Sequence, residues 1–81
     1  MIMTREEIMN KLTEILKDRG FDTDGITEES KLVDDIGLDS LDLVDLTMDI
    51  EEAFSIQIPD EDLPKLDTVG KVVDYILEKV G

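Results

Sequence analysis

The residue with the most chemistry open to it is Ser40, within Gly37-Leu38-Asp39-Ser40-Leu41-Asp42. A serine hydroxyl can attack as a nucleophile, accept a covalent group or cap a helix. Nucleophilic catalysis needs a base, and the chain contains no histidine and no cysteine. Ser-His-Asp and Cys-His chemistry, disulfides and cysteine-ligated metals are thereby excluded by inventory, and the commonest zinc ligand is missing. No Gly-x-Ser-x-Gly elbow surrounds Ser40, and the carboxylates beside it would oppose a developing oxyanion. Attachment of a phosphodiester suits the position better, because a helix N-terminus offers free amides and partial positive charge. The bland alternative stays open on local sequence: serine is common near helix starts and needs no further role there.

Carboxylates are the other candidates. Asp and Glu number 22 against 8 Lys and Arg, a net charge of −14 at pH 7. Such a field repels nucleic acid and anionic membranes and attracts basic protein surfaces, although it also serves plain solubility. Asp22-Thr23-Asp24-Gly25 resembles part of a calcium loop. If Asp22, Asp24 and Gly25 take the third, fifth and sixth loop positions, Gly20 and Lys31 fall where carboxylates are needed. The stretch reads instead as a turn, and no metal site is expected.

Helices must position these residues. At 81 residues the chain is read as one domain, residues 1–81, and its 41% hydrophobic content recurs at helical spacing, which argues against disorder. Thr4-Arg5-Glu6-Glu7 forms a capping box ahead of Ile8, Leu12, Ile15 and Leu16, and Gly20 ends that helix. Met9 lies off the apolar face. Residues 21–38 form a long connection, with Phe21, Ile26, Leu32, Val33 and Ile36 as anchors across a helical core.

The central helix runs from Ser40 to about Phe54, with Asp39 as N-cap and Asp42 as its partner. At 100° per residue, Asp42, Asp45, Asp49 and Glu52 fall within roughly an 80° arc. Leu43, Leu46, Ile50, Ala53 and Phe54 make one apolar stripe, and Leu41, Val44 and Met48 make a second. Together they cover about two-thirds of the circumference, so this helix is expected to touch several partners and leave only the acidic strip to solvent. Glu51 projects opposite that strip, and periodicity gives no account of it.

Ser55 to Pro59 reads as extended, and residues 60–66 allow a short helix with Leu63 and Leu66 inward and Pro64 tolerable only in its first turn. Thr68 caps a last helix carrying Val69, Val72, Val73, Ile76, Leu77 and Val80, with Gly70 a weak helix former in its first turn. The expected fold is all-α: a small four-helix bundle of three main helices plus one short helix, with a long first loop. The first residues are too short for a signal peptide and no apolar run approaches a membrane span, so cytoplasm is the expected location; a monomer is the expected state.

The sequence resembles the acyl carrier proteins, small acidic helical carriers modified with 4′-phosphopantetheine. The resemblance rests on residues 32–42, on Ile50-Glu51-Glu52-Ala53-Phe54, on Ile58-Pro59-Asp60-Glu61, and on Thr68-Val69 with Asp74-Tyr75-Ile76. It implies that Ser40 bears the phosphopantetheine arm, drawn from coenzyme A by a phosphopantetheinyl transferase (a holo-acyl-carrier-protein synthase). It implies a non-catalytic carrier of acyl thioesters, with fatty acid biosynthesis the first choice of pathway. It further implies that Asp39, Leu41, Asp42, Asp45, Glu51 and Glu52 meet basic docking surfaces on fatty acid synthase or related acyl-transfer enzymes. Met48, Phe54, Ile58, Leu63, Leu66 and Tyr75 match positions around the acyl pocket.

Leu38, Leu43, Thr47, Pro64 and Gly70 depart from the commonest fatty-acid pattern, which bears on cargo and pathway but leaves the attachment motif intact. The alternatives are a specialised carrier for polyketide, lipid-modification or aminoacyl chemistry, and a non-covalent acidic protein-interaction domain.

Overall fold

The computed structural model describes residues 2–80, and its main helices begin at their side-chain caps. Helix α1 spans Arg5–Asp18. The Thr4 hydroxyl accepts from the Glu7 amide at 3.1 Å, and the Glu7 carboxylate accepts from the Thr4 amide at 3.0 Å. These bonds satisfy donors that a helix start leaves orphaned. At the far end Gly20 adopts φ +90°. The Gly20 and Phe21 amides there donate to the Lys17 and Leu16 carbonyls at 2.9 and 3.1 Å, a left-handed cap in which glycine avoids strain.

Helix α2 spans Ser40–Phe54 and helix α3 spans Val69–Val80. Thr68 caps α3 by accepting from the Lys71 amide at 3.2 Å. Between α2 and α3 runs the short 3-10 helix Asp60–Lys65. Pro64 stands fifth in it, beyond the first turn expected for it. The bonds from Asp62 to Pro59 and from Leu66 to Leu63, at 2.9 and 3.0 Å, pass to either side of the amide that proline lacks.

The bundle is all-α, and α1 packs on both α3 and α2. Ile8, Leu12 and Leu16 of α1 meet Leu46, Ile50 and Phe54 of α2 and Val69, Val72, Val73 and Ile76 of α3 in one core. Met9 sits at the rim, partly buried. Val33, expected as a loop anchor, is 52% exposed, and its place is taken by Leu38, which is 2% exposed. The reason is local. Residues Leu32–Ile36 form a π-helical turn closed by the left-handed Gly37, φ +96°. That turn points Leu32 and Leu38 to the core and leaves Val33 outside.

The first loop is sewn to the start of α3. The Leu32 amide donates to the Asp67 carbonyl at 3.0 Å, the Val69 amide to Ser30 at 3.0 Å and the Gly70 amide to Glu28 at 2.8 Å. Lys31 and Thr68 form an isolated antiparallel bridge. Arg5 clamps the same seam, holding the Glu28 carboxylate and, at 2.6 Å, Asp74. Gly70 is therefore required for a reason that helical periodicity cannot show. A Cβ at this position would stand 2.9 Å from the Glu28 carbonyl oxygen. Gly70→Ala gains about 1 kcal/mol of helix propensity, yet backbone crowding should outweigh it and leave a net loss of about 1–2 kcal/mol. Urea unfolding checks this; a variant as stable as the parent would contradict the packing.

Candidate functional site

Ser40 is the first residue of α2 and is exposed. Its position is set by a reciprocal box on either side. The Asp39 carboxylate accepts from the Asp42 amide at 2.8 Å, and the Asp42 carboxylate accepts from the Asp39 amide at 3.0 Å. Both acids flanking the serine are thus turned to backbone. The Leu43 amide opens the helical ladder by donating to Asp39 at 3.0 Å, so the Ser40 and Leu41 amides precede it without helical acceptors.

Beside the hydroxyl lies a cavity of about 270 Å³. Ser40, Leu43, Val44, Leu46, Thr47 and Ile50 of α2 form one wall, and Leu32, Leu63, Leu66 and Val72 form the others. Thr47 donates its hydroxyl to the Val44 carbonyl at 2.7 Å, so its polar atom is spent inside the helix. The arrangement fits a phosphate ester followed by an apolar chain. An accessible hydroxyl sits at a positive helix end, and an apolar space begins at the same residue.

Of the residues that the resemblance assigns to an acyl pocket, Leu63 and Leu66 line this cavity. Phe54 and Ile58 are buried in the core but do not line it, and Tyr75 is partly buried beside the 3-10 helix. Met48 does not line it either. It is 59% exposed. With Leu41 at 75% and Val44 at 47% exposed, the second stripe of α2 faces solvent. The acidic strip is therefore not the only part of α2 outside the core, and Ala53 is exposed as well.

The acids of α2 differ in what they touch. Asp39 and Asp42 hold the N-terminal box. Asp45 and Asp49 face Arg19, at 3.5 and 2.5 Å. Hydrogen bonding to Arg19 holds the Asp49 carboxyl below its ordinary value. Glu52 is exposed. Glu51, without a role from periodicity, accepts the Ile58 amide at 2.8 Å, and its carbonyl accepts the Ser55 and Ile56 amides. It ties the extended segment back onto the end of α2. Only the tertiary fold reveals that role, since donor and acceptor lie in different local structures.

Tyr75 links α3 to the 3-10 helix by donating to Asp62 Oδ2 at 2.7 Å. Lys79 Nζ stands 5.3 Å from the ring centroid, within cation–π range. Burial first, and then the Asp62 hydrogen bond, push the phenol up to about 12. The bonds from Tyr75 and Lys65 hold the Asp62 carboxyl below its ordinary value.

Two outcomes follow from these contacts. Glu51→Ala strands the half-buried Ile58 amide and should cost about 1–2 kcal/mol. It should also speed hydrogen exchange at Ile58; unchanged exchange would make Glu51 a surface acid. Tyr75 is the single tyrosine, so near-ultraviolet absorbance reports it alone. A raised folded pKa means that its contribution is full below pH 10 and is lost as pH climbs through about 12. Asp62→Asn should lower the native titration midpoint while burial keeps it above 10. A midpoint that does not move would remove Asp62 as a cause.

Comparison with known proteins agrees with this geometry. Residues 6–76 match the family described as phosphopantetheine attachment site. The acyl carrier protein of Thermotoga maritima is 51% identical over 79 residues, covering 96% of this chain and 98% of that one. That of Rubrobacter xylanophilus is 49% identical over 77 residues, covering 94% and 95%. That of Lactobacillus johnsonii is 45% identical over 75 residues, covering 91% and 94%. With its capped serine at the mouth of an apolar cavity, the chain belongs to the phosphopantetheine-bearing acyl carrier protein family.

Proposed function

We propose that Ser40 is the attachment residue and that the chain serves fatty acid biosynthesis as a carrier with no catalysis of its own. The observation that carries this reading is the placement of one exposed hydroxyl at the start of α2, on the rim of the apolar cavity. In the loading step, the Ser40 oxygen forms a bond to the phosphorus of coenzyme A's phosphopantetheine. The bond to the nucleotide breaks, and 3′,5′-ADP leaves. The serine proton passes to a base on the transferase, since this chain has no histidine. The bound group supplies a thiol that holds an acyl chain as a thioester.

The chain's own residues then orient and shelter. The α2 N-terminus favours the phosphate, and Leu43, Leu46, Ile50, Leu63 and Leu66 offer an apolar refuge in which the Thr47 hydroxyl donates to its own helix. Partner enzymes meet α2 from outside. Leu41, Val44 and Met48 offer apolar contact, flanked by Asp45 and Glu52. Exposed ion pairs contribute only about 0–1 kcal/mol each, so the acids steer and orient partners while the apolar stripe supplies contact area. Among the described residues no helix is long and apolar enough to cross a membrane. We place the carrier in the cytoplasm, alongside partners that draw on coenzyme A.

Incubation with coenzyme A and a phosphopantetheinyl transferase, read by intact mass, tests the assignment. The parent chain should gain one phosphopantetheine and Ser40→Ala none. An unmodified parent, or an equal gain on Ser40→Ala, would overturn it.

A further inference from the structure

Arg19 is the one cation, among the described residues, that pairs with the acids of α2. It caps the end of α1, next to the left-handed Gly20, so its side chain starts from a fixed turn. The guanidinium grips Asp49 with two parallel bonds, Nε to Oδ2 at 2.5 Å and Nη2 to Oδ1 at 3.0 Å. Its Nη1 lies 3.5 Å from Asp45 Oδ2. This fork is how an arginine from another protein would hold a carboxylate. The Asp49 hydrogen bonds hold Arg19 above its ordinary value, and Asp45 and Asp42 add attraction. The acids that act on Arg19 all belong to the one acidic strip of α2, and Asp45 of that strip is proposed above to meet partners.

We propose that Arg19 occupies the acidic face of α2 as an internal stand-in for a partner's guanidinium, so that basic partners compete with it. The inference rests on the docking role proposed for that face. Arg19 neutralises the strip unevenly. Asp49 is gripped and Asp45 is shared, whereas Asp39 and Asp42, beside Ser40, bond to backbone amides and not to Arg19. A cationic partner is therefore drawn toward the serine end of α2. Arg19 and Asp49 side chains remain 39% and 30% exposed, so the pair can open to water and exchange. An exposed pair of this kind acts as a brake on encounter, not as a lock.

The experiment measures kcat/KM for phosphopantetheinylation of the full chain at low and high salt. Removing one positive charge from the docking face should raise association about threefold to tenfold at low salt in Arg19→Gln. The gain should shrink at high salt, where screening shortens the reach of the field. Adding Asp49→Asn to Arg19→Gln removes the exposed carboxylate and should cancel most of the gain. Arg19→Lys keeps charge but loses the fork and should show a smaller gain. If Arg19→Gln does not fold by circular dichroism, Arg19→Lys decides. A folded Arg19→Gln modified no faster than the parent, or a gain indifferent to salt, overturns the proposal while leaving Ser40 in place. A parent that takes no phosphopantetheine instead removes the attachment reading itself.

Discussion

The placement of Ser40 depends on the seam between the first loop and the start of α3. The Gly70 amide donates to Glu28, and only a residue without Cβ allows that approach. The same seam seats Leu32 through the Asp67 carbonyl. From Leu32 the chain winds through a tight π-helical turn, and both the Gly37 and Leu38 amides return to the Leu32 carbonyl, at 3.0 and 2.9 Å. Leu38 is thereby buried, and the next residue is the Asp39 cap. Backbone bonds between distant segments thus fix where α2 begins, and the serine inherits its place from that start. A long loop would otherwise contribute mostly entropy loss to a domain small enough to be marginal.

The large negative charge is organised by short-range bonds. Asp39 and Asp42 serve the backbone, Glu51 holds the segment after α2, and Glu28 and Asp74 receive Arg5. Lys71 pairs with Asp67 at 2.9 Å and Lys65 with Asp62 at 3.2 Å. Many carboxylates are therefore structural acceptors of the fold. The net charge of −14 describes the far field, whereas local donors decide which acids a partner finds free.

Local chemistry was legible in the sequence because it acts over a helical turn. The boxes at Thr4 and Asp39, the left-handed Gly20 and the Thr68 cap all join residues within a few positions of each other. The all-α fold and the span of α2 follow from the same short-range rules. What escaped was tertiary. Val33 and Leu38 exchange inside and outside because of one π-helical turn, which apolar spacing does not encode. Gly70 looks like a weak helix former until Glu28 is seen against it. The second apolar stripe of α2, Met48 included, was expected to be covered because so broad an apolar wrap suggests several partners, whereas Leu41, Val44 and Met48 are exposed. Glu51 had no periodic reason because its partner, the Ile58 amide, lies beyond the helix.

The exposed stripe bears on why α2 is so apolar. Burying a side chain such as leucine or methionine is worth about 1.5–3 kcal/mol, and a small domain seeking stability alone would cover Leu41, Val44 and Met48 or make them polar. Instead, these residues stand on the helix that also walls the cavity. Val44 belongs to both sets: it lines the cavity next to Ser40 and is 47% exposed. One side chain therefore separates the apolar interior from whatever covers the outer stripe. Pressure on Val44 from outside bears directly on the cavity wall at the rim where Ser40 stands, so the exposed stripe, the capped serine and the apolar cavity meet within a single turn of helix.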